Sequence, residues 1–317
     1  MEVLKKKYKK SKIFLKCLIF LIVLIQYIIM ANQYFYLCKN NEFSSSLTNN
    51  IKRKSKIIAI TYSNHLYQRQ IQLNRKSALE IGKVDEHYSY GPDDIDDIFK
   101  QKNKDILMRR RGNGYWLWKS YIINKTIVEK LNYGDYLIYT DARMIFMNST
   151  QLLIDFLEKN NASMWMDRLI YKEREWTKRD ALILIGVDMP FYYESNQYMA
   201  GIQIYKKSEY TVKFIKEWLY YCQDKRIITD DNNTLGKPNY QNFKENRHDQ
   251  TALSLLIKKY GEAGSGYPNM NENELNQRKN ITMPNIICIY RSTSFNDFDD
   301  LRKKCEKKIE LQNRGFT

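Results

Sequence analysis

The chain has 317 residues and a formal net charge of +16, with 52 basic against 36 acidic side chains and five cysteines. No C-x-x-C pair and no Cys/His cluster occurs, so a zinc-type centre is excluded. No basic stripe interleaved with aromatic residues occurs either, and this argues against nucleic acid as a partner.

Residues 13–31 are almost wholly apolar, broken only by Lys16, Gln26 and Tyr27. The run approaches the ~20 residues that a helix needs to cross a bilayer. Lys5, Lys6, Lys7, Lys9, Lys10 and Lys12 precede it, and no base follows until Lys39. This asymmetry predicts an uncleaved signal-anchor helix, with residues 1–12 as a cytoplasmic tail and the rest of the chain lumenal. A cleaved signal peptide is the competing reading. The run is longer than a usual signal core, and Ile29-Met30-Ala31 lacks the small-x-small pattern of a cleavage site. Either way the domain is secretory. Residues 32–56, rich in Asn, Ser and Thr, read as a stem. Residues 57–317 suit one large α/β domain or two small ones, without internal repeats.

Along that stretch, residues 57–62 are a β-branched run that predicts a buried first strand. Residues 68–82 carry a helical pattern closed by Gly82, and a second strand is expected near residues 84–90. Strand, helix and strand in short succession open an α/β domain with a parallel sheet. The block Arg109-Arg110-Arg111-Gly112-Asn113-Gly114-Tyr115-Trp116-Leu117-Trp118-Lys119 leads into a helix reaching about residue 131. Residues 136–139 form a strand ending in Thr140-Asp141-Ala142-Arg143, followed by a helix over 152–159. Residues 164–166 and 198–205 read as further strands, the latter with Gly201 where another backbone or a ligand comes close. Helices are expected to open at Arg179 and to span 211–222 and 251–259. A last strand is placed at 283–290. Cys38, Cys222, Cys288 and Cys305 face an oxidising lumen, which allows one or two disulfides of undetermined pairing. Sequons at Asn124, Asn148, Asn161, Asn232 and Asn280 agree with a lumenal domain.

The chemistry concentrates at two carboxylates. Asp141 ends a hydrophobic strand, at the sheet edge where open α/β sheets bind ligands. It suits a divalent metal or a sugar hydroxyl, or else simply caps the turn. Asp249 begins a helix, whose dipole should lower its pKa and keep it ionised, as an acceptor base or a cap. His248 beside it could assist or bind metal. Lys119, heading a helix behind Trp116 and Trp118, could reach a diphosphate. The Arg109–Arg111 run with Gly112 and Gly114 could hold phosphates through charge and exposed amides, and reads as a solvated basic loop for at least two of the three arginines. The tryptophans read more as core than as a sugar platform. A basic surface suits an anionic substrate such as a nucleotide diphosphate.

The ordered blocks GYWLWK (Gly114 to Lys119), GDYLIYTDA (Gly134 to Ala142), NQYMAGIQIY (Asn196 to Tyr205) and RHDQTALSLL (Arg247 to Leu256) resemble small glycosyltransferases of the GT-A type. The resemblance implies a mixed sheet flanked by helices, a nucleotide-sugar donor, and a glycan, protein or lipid acceptor. It places the chain as a type II membrane protein of the Golgi or endoplasmic reticulum. It implies Mn²⁺ or Mg²⁺ on Asp141, a catalytic pair of Asp249 and His248, and donor contacts from Thr61, Tyr62, Lys119, Asp141, Arg143 and Gly201. The family's Asp-x-Asp motif is incomplete here, reading Asp141-Ala142-Arg143, so Arg143 could neutralise the diphosphate in place of a metal. A non-catalytic carbohydrate- or nucleotide-binding protein is the alternative.

Overall fold

The computed structural model describes residues 54–261, 286–290 and 297–313. The predicted anchor at 13–31, almost all of the stem, Cys17, Cys38 and the sequon at Asn280 lie outside the described residues. The chain divides into two units, Met1–Lys54 and Ser55–Thr317, and everything below concerns the second. Among the described residues no helix is long and apolar enough to cross a membrane.

The sheet forms around β1 (Ile57–Tyr62) and β3 (Tyr136–Thr140), whose residues are all buried. Such unbroken apolar runs belong to strands covered on both faces. β2 (Glu86–Tyr90) and β3 flank β1 in parallel. β8 (Ile202–Lys206) then runs antiparallel to β3, and β5 (Met164–Trp165) antiparallel to β8. The order is β2-β1-β3-β8-β5, so the parallel opening continues into a mixed sheet.

Alternation along the strands divides the core. Ile58, Ile60, Tyr62, Leu137, Tyr139 and Tyr205 face one side. There they meet α2 (Leu117–Glu129), α4 (Arg179–Ile185), α5 (Glu209–Cys222) and α6 (Asp249–Lys259). Ile57, Ala59, Tyr136, Ile138, Ile202 and Ile204 face the other, against α1 (Gln68–Glu80), α3 (Gln151–Lys159) and β4 (Met144–Phe146). Helix α5 buries Thr211, Phe214, Ile215, Trp218 and Cys222, so Phe214 rather than Val212 completes its inward stripe.

Several details differ from the sequence-based expectation. Gly82 does not end its helix through a left-handed turn. A Cβ there would come within 2.7 Å of the Ala78 carbonyl and 2.9 Å of the Phe146 ring, so close packing is what excludes a side chain. The expected strand over 198–205 is two strands. β7 (Asn196–Tyr198) pairs with β6 (Arg168–Lys172) in a separate two-stranded sheet, while β8 joins the main sheet. β9 (Ile287–Ile289) pairs antiparallel with β4, and Cys288 is bridged to Cys305 on the terminal helix α7 (Phe298–Asn313). Cys222 is a buried free thiol.

A buried ion pair ties the β6–β7 pair to α6. Glu173 accepts from the Lys258 ammonium at 2.6 Å and from the Gln197 amide at 3.0 Å, and also from Ser254 and Thr177. Both charged side chains are at most 1% exposed. Removing one partner of such a pair leaves the other charge without its counter-ion. Glu173→Gln is therefore expected to cost about 3 kcal/mol, read as a lower urea midpoint with an unchanged slope.

Candidate active site

β3 carries Asp141 to its carboxyl end. Tyr139, two residues earlier and on the same side of the strand, donates its hydroxyl to Asp141 Oδ1 at 2.6 Å. The Asp141 amide donates to the Gly201 carbonyl at 2.9 Å. A Cβ on Gly201 would lie 3.0 Å from Asp141 Oδ2, so this glycine makes room for the carboxylate.

Lys119, in the first turn of α2, points into the same place. Its side chain is 4% exposed, and its Nζ lies 3.2 Å from Asp141 Oδ1 and 3.2 Å from Asp249 Oδ2. It also donates to the Ala200 carbonyl at 3.3 Å. The contact with Asp249 is close enough for an ion pair, but its alignment falls short of a hydrogen bond, and Oδ2 accepts no other. Burial pulls the ammonium pKa down, and the two carboxylates outweigh it and hold it above its ordinary value. The ammonium thus lies against three protein oxygens, so the expectation that Lys119 reaches a diphosphate does not fit.

Asp249 opens α6 but is almost fully buried, and its pKa is pushed up to about 6. Burial is the main cause; Lys119 opposes it and Asp141 adds to it. This corrects the expected lowering by the helix dipole, because desolvation of a buried carboxylate exceeds what a helix terminus supplies. The Trp218 indole fixes the Asp249 carbonyl at 3.0 Å.

His248 turns away from this pair. Its Nδ1 donates to the Ile228 carbonyl at 2.8 Å, and its ring lies between Tyr115 and Trp116, with centroids at 4.9 and 5.2 Å. Burial lowers its pKa, so Nε2 presents a lone pair, 3.8 Å from Asp230. The expected pairing of His248 with Asp249 in one catalytic unit is therefore not seen.

Divalent ions of this kind need several oxygen ligands. Asp141 Oδ1 is already shared by Tyr139 and Lys119, and an ammonium stands between the two carboxylates. Among the described residues no group of three or more His, Cys, Asp or Glu is placed to hold a metal. The Mn²⁺ or Mg²⁺ expected on Asp141 does not fit this donor set.

Beside Asp141 opens a cleft of about 740 Å³. Its wall is aromatic: Tyr62 stacks on Trp118 with centroids 3.8 Å apart, and Tyr67, Trp116 and Tyr290 continue it. Two guanidinium groups, Arg110 and Arg143, line it. Arg143 lies 5.0 Å over the Tyr67 ring, and no described carboxylate pairs with either arginine. Their neighbours are spoken for: Arg109 meets Asp231, and Arg111 meets Asp230 and Glu245. Asp141, with its side chain 41% exposed, lines the cleft floor, and its Oδ2 meets no protein donor among the described residues. Thr61, on the opposite face of β1 from Tyr62, is buried and does not line the cleft.

The rim is a strap with an unusual backbone. Gly112, Asn113, Gly114, Tyr115 and Trp116 all have positive φ, between 52° and 93°. A Cβ at Gly112 would lie 2.3 Å from the Trp116 ring, and one at Gly114 2.8 Å from Leu107 Cα. Non-glycine residues in that region cost about 1–3 kcal/mol each and persist only where tertiary contacts over-determine them. Here the contacts are Asn113 donating to the Tyr62 hydroxyl at 2.9 Å and the Trp118 indole donating to the Gly112 carbonyl at 2.9 Å. Sequence reasoning singled out the glycines but not Tyr67, Tyr139 or Tyr290. Of these only Tyr139 had a local signal, its i, i+2 relation to Asp141 on a strand.

The raised pKa of Asp249 sets a pH dependence. The carboxyl stays protonated in the native state up to about 6 and ionises from 3.8 in the unfolded chain. Its contribution therefore favours the native state below the lower value and is lost as pH rises to the upper one, about 3 kcal/mol in all. Urea midpoints of Asp249→Asn relative to wild type should shift in the variant's favour between these two values and stay level above them. A difference that does not change with pH would remove this account.

No protein-family model and no curated protein matches the chain. Among solved structures it is similar to the bifunctional glycosyltransferase WbbM, at 11% identity and a TM-score of 0.44, covering 84% of this chain and 53% of that one. It is also similar to the galactosyltransferase LgtC solved with donor and acceptor sugar analogues, at 13% and 0.42, covering 82% and 100%. Mouse xyloside xylosyltransferase 1 follows, at 10% and 0.35, covering 66% and 83%. All three are glycosyltransferases by description, and none is close enough to assign this chain to a family.

Proposed function

We propose that the chain is a GT-A type glycosyltransferase that moves a sugar from a nucleotide-linked donor, UDP-linked in this reading, to an acceptor hydroxyl. The acceptor is a glycan, protein or lipid. The observation that carries the proposal is the cleft beside Asp141, which joins an aromatic wall, two arginines without carboxylate partners and an open carboxylate oxygen at a strand end. A nucleobase suits the aromatic wall, a diphosphate suits the guanidinium pair, and a sugar hydroxyl suits Asp141 Oδ2. The ordered sequence blocks that end at these same elements agree with it.

In this reading the acceptor oxygen bonds to the anomeric carbon as the bond to the terminal phosphate oxygen breaks. The acceptor proton leaves to water, and the nucleoside diphosphate carries off the bonding pair. Arg110 and Arg143 meet the charge that develops on the leaving group. Asp249 touches neither substrate. It acts through Lys119, which fixes Asp141. The basic tail, the apolar run at 13–31 and the polar stem support a type II anchor in the Golgi or endoplasmic reticulum, with the domain in the lumen.

The full chain in detergent, screened by melting and by hydrolysis against a panel of sugar nucleotides, tests the reading. One donor should raise the melting temperature by a few degrees, and Arg143→Ala should weaken its binding roughly tenfold. Asp141→Asn should lower turnover by about 100-fold with the fold intact. Binding without turnover would favour the non-catalytic alternative. Silence from every sugar nucleotide would sink the transferase reading.

A further inference from the structure

An anion approaching the floor of this cleft meets two carboxylates, Asp141 directly and Asp249 behind it. Positive charge must therefore stand between them and the ligand, or beside it. Both are present in this chain's own side chains. The Lys119 ammonium lies 3.2 Å from an oxygen of each carboxylate and donates to the Ala200 carbonyl. Tyr139 and Trp118 close over it, with ring centroids 5.2 and 5.8 Å away. A second cation could enter only by displacing a buried ammonium or by standing next to it against like-charge repulsion. The ligand's own charge is met further out, by Arg110 and Arg143.

We infer that Lys119 is the resident cation of the Asp141–Asp249 pair and that the cleft therefore takes a nucleoside diphosphate without a divalent metal. The ligand class rests on the nucleotide reading above, whereas the occupancy of the carboxylate pair does not. Lys119 is a positioning residue: it engages Asp141 Oδ1 and leaves Oδ2 to the cleft.

The test uses the full chain in detergent with UDP as the probe, measured by calorimetry in EDTA and in Mn²⁺. The two dissociation constants should agree within about twofold, and Mn²⁺ alone should leave the wild-type melting temperature where it was. Lys119→Ala leaves two carboxylates facing each other; it should melt roughly 10 °C lower in EDTA and recover part of that loss in Mn²⁺. Tightening of UDP binding by about tenfold or more in Mn²⁺ would overturn the inference. So would a wild-type melting temperature raised by Mn²⁺ alone, or a folded Lys119→Ala protein indifferent to the ion. If that variant does not fold, the two wild-type measurements decide. If UDP binds in neither buffer, the nucleotide reading fails, and wild-type melting in Mn²⁺ still decides which cation the carboxylates hold.

Discussion

The Lys119 ammonium is where the architecture converges. It rises from the first turn of α2 and meets the end of β3 through Asp141, the start of α6 through Asp249, and the break between β7 and β8 through Ala200. Four segments that are distant in sequence are thereby brought to one point. A buried charge without compensation is among the most destabilising features a fold can hold, so each segment is fixed by the others' need for it. With both carboxylates ionised the cluster carries one net negative charge. The high pKa of Asp249 reflects that surplus together with its burial.

This arrangement explains why the cleft has two chemically distinct zones. Its floor is an internal ion cluster, Lys119 with Asp141 and Asp249, that leaves Asp141 Oδ2 open to the cleft. Its rim is cationic and aromatic, with guanidinium groups that no described acid neutralises. Arg109 and Arg111, on either side of Arg110, are held by acids of the loop that precedes α6. Only the middle arginine of the run is turned to the cleft. A smaller polar hollow of about 330 Å³ lies against that loop, lined by Arg111 and Asp230.

Much of the framework was legible from local pattern. The β-branched run at 57–62 and the apolar strand ending at Asp141 declared themselves, because a strand buried on both faces needs continuous apolar sequence. The role of the site residues was less legible. Asp249 at a helix start suggests a lowered pKa, and only its burial under α5 and α2 reverses the sign. Lys119 at a helix start behind two tryptophans suggests a cation reaching for a diphosphate, and only the tertiary fold reveals that it is enclosed between carboxylates. The break after Tyr198 escaped because Gly201 reads as a close approach within one strand, whereas the division depends on which partner each half finds. The Cys288–Cys305 bridge was one of several pairings that spacing alone allowed.

The strap from Gly112 to Trp116 has a bearing on how such a protein can change over evolutionary time. Five successive residues sit in left-handed backbone, and Tyr62, Trp118 and His248 contact four of them. A single replacement there disturbs the whole run, so variation at this edge is confined to coordinated change. Tyr67, Arg143 and Tyr290, which line the cleft on ordinary backbone, carry no such restriction. Divergence in ligand preference among descendants of this chain would accumulate at these positions, with the strap as the inherited constant.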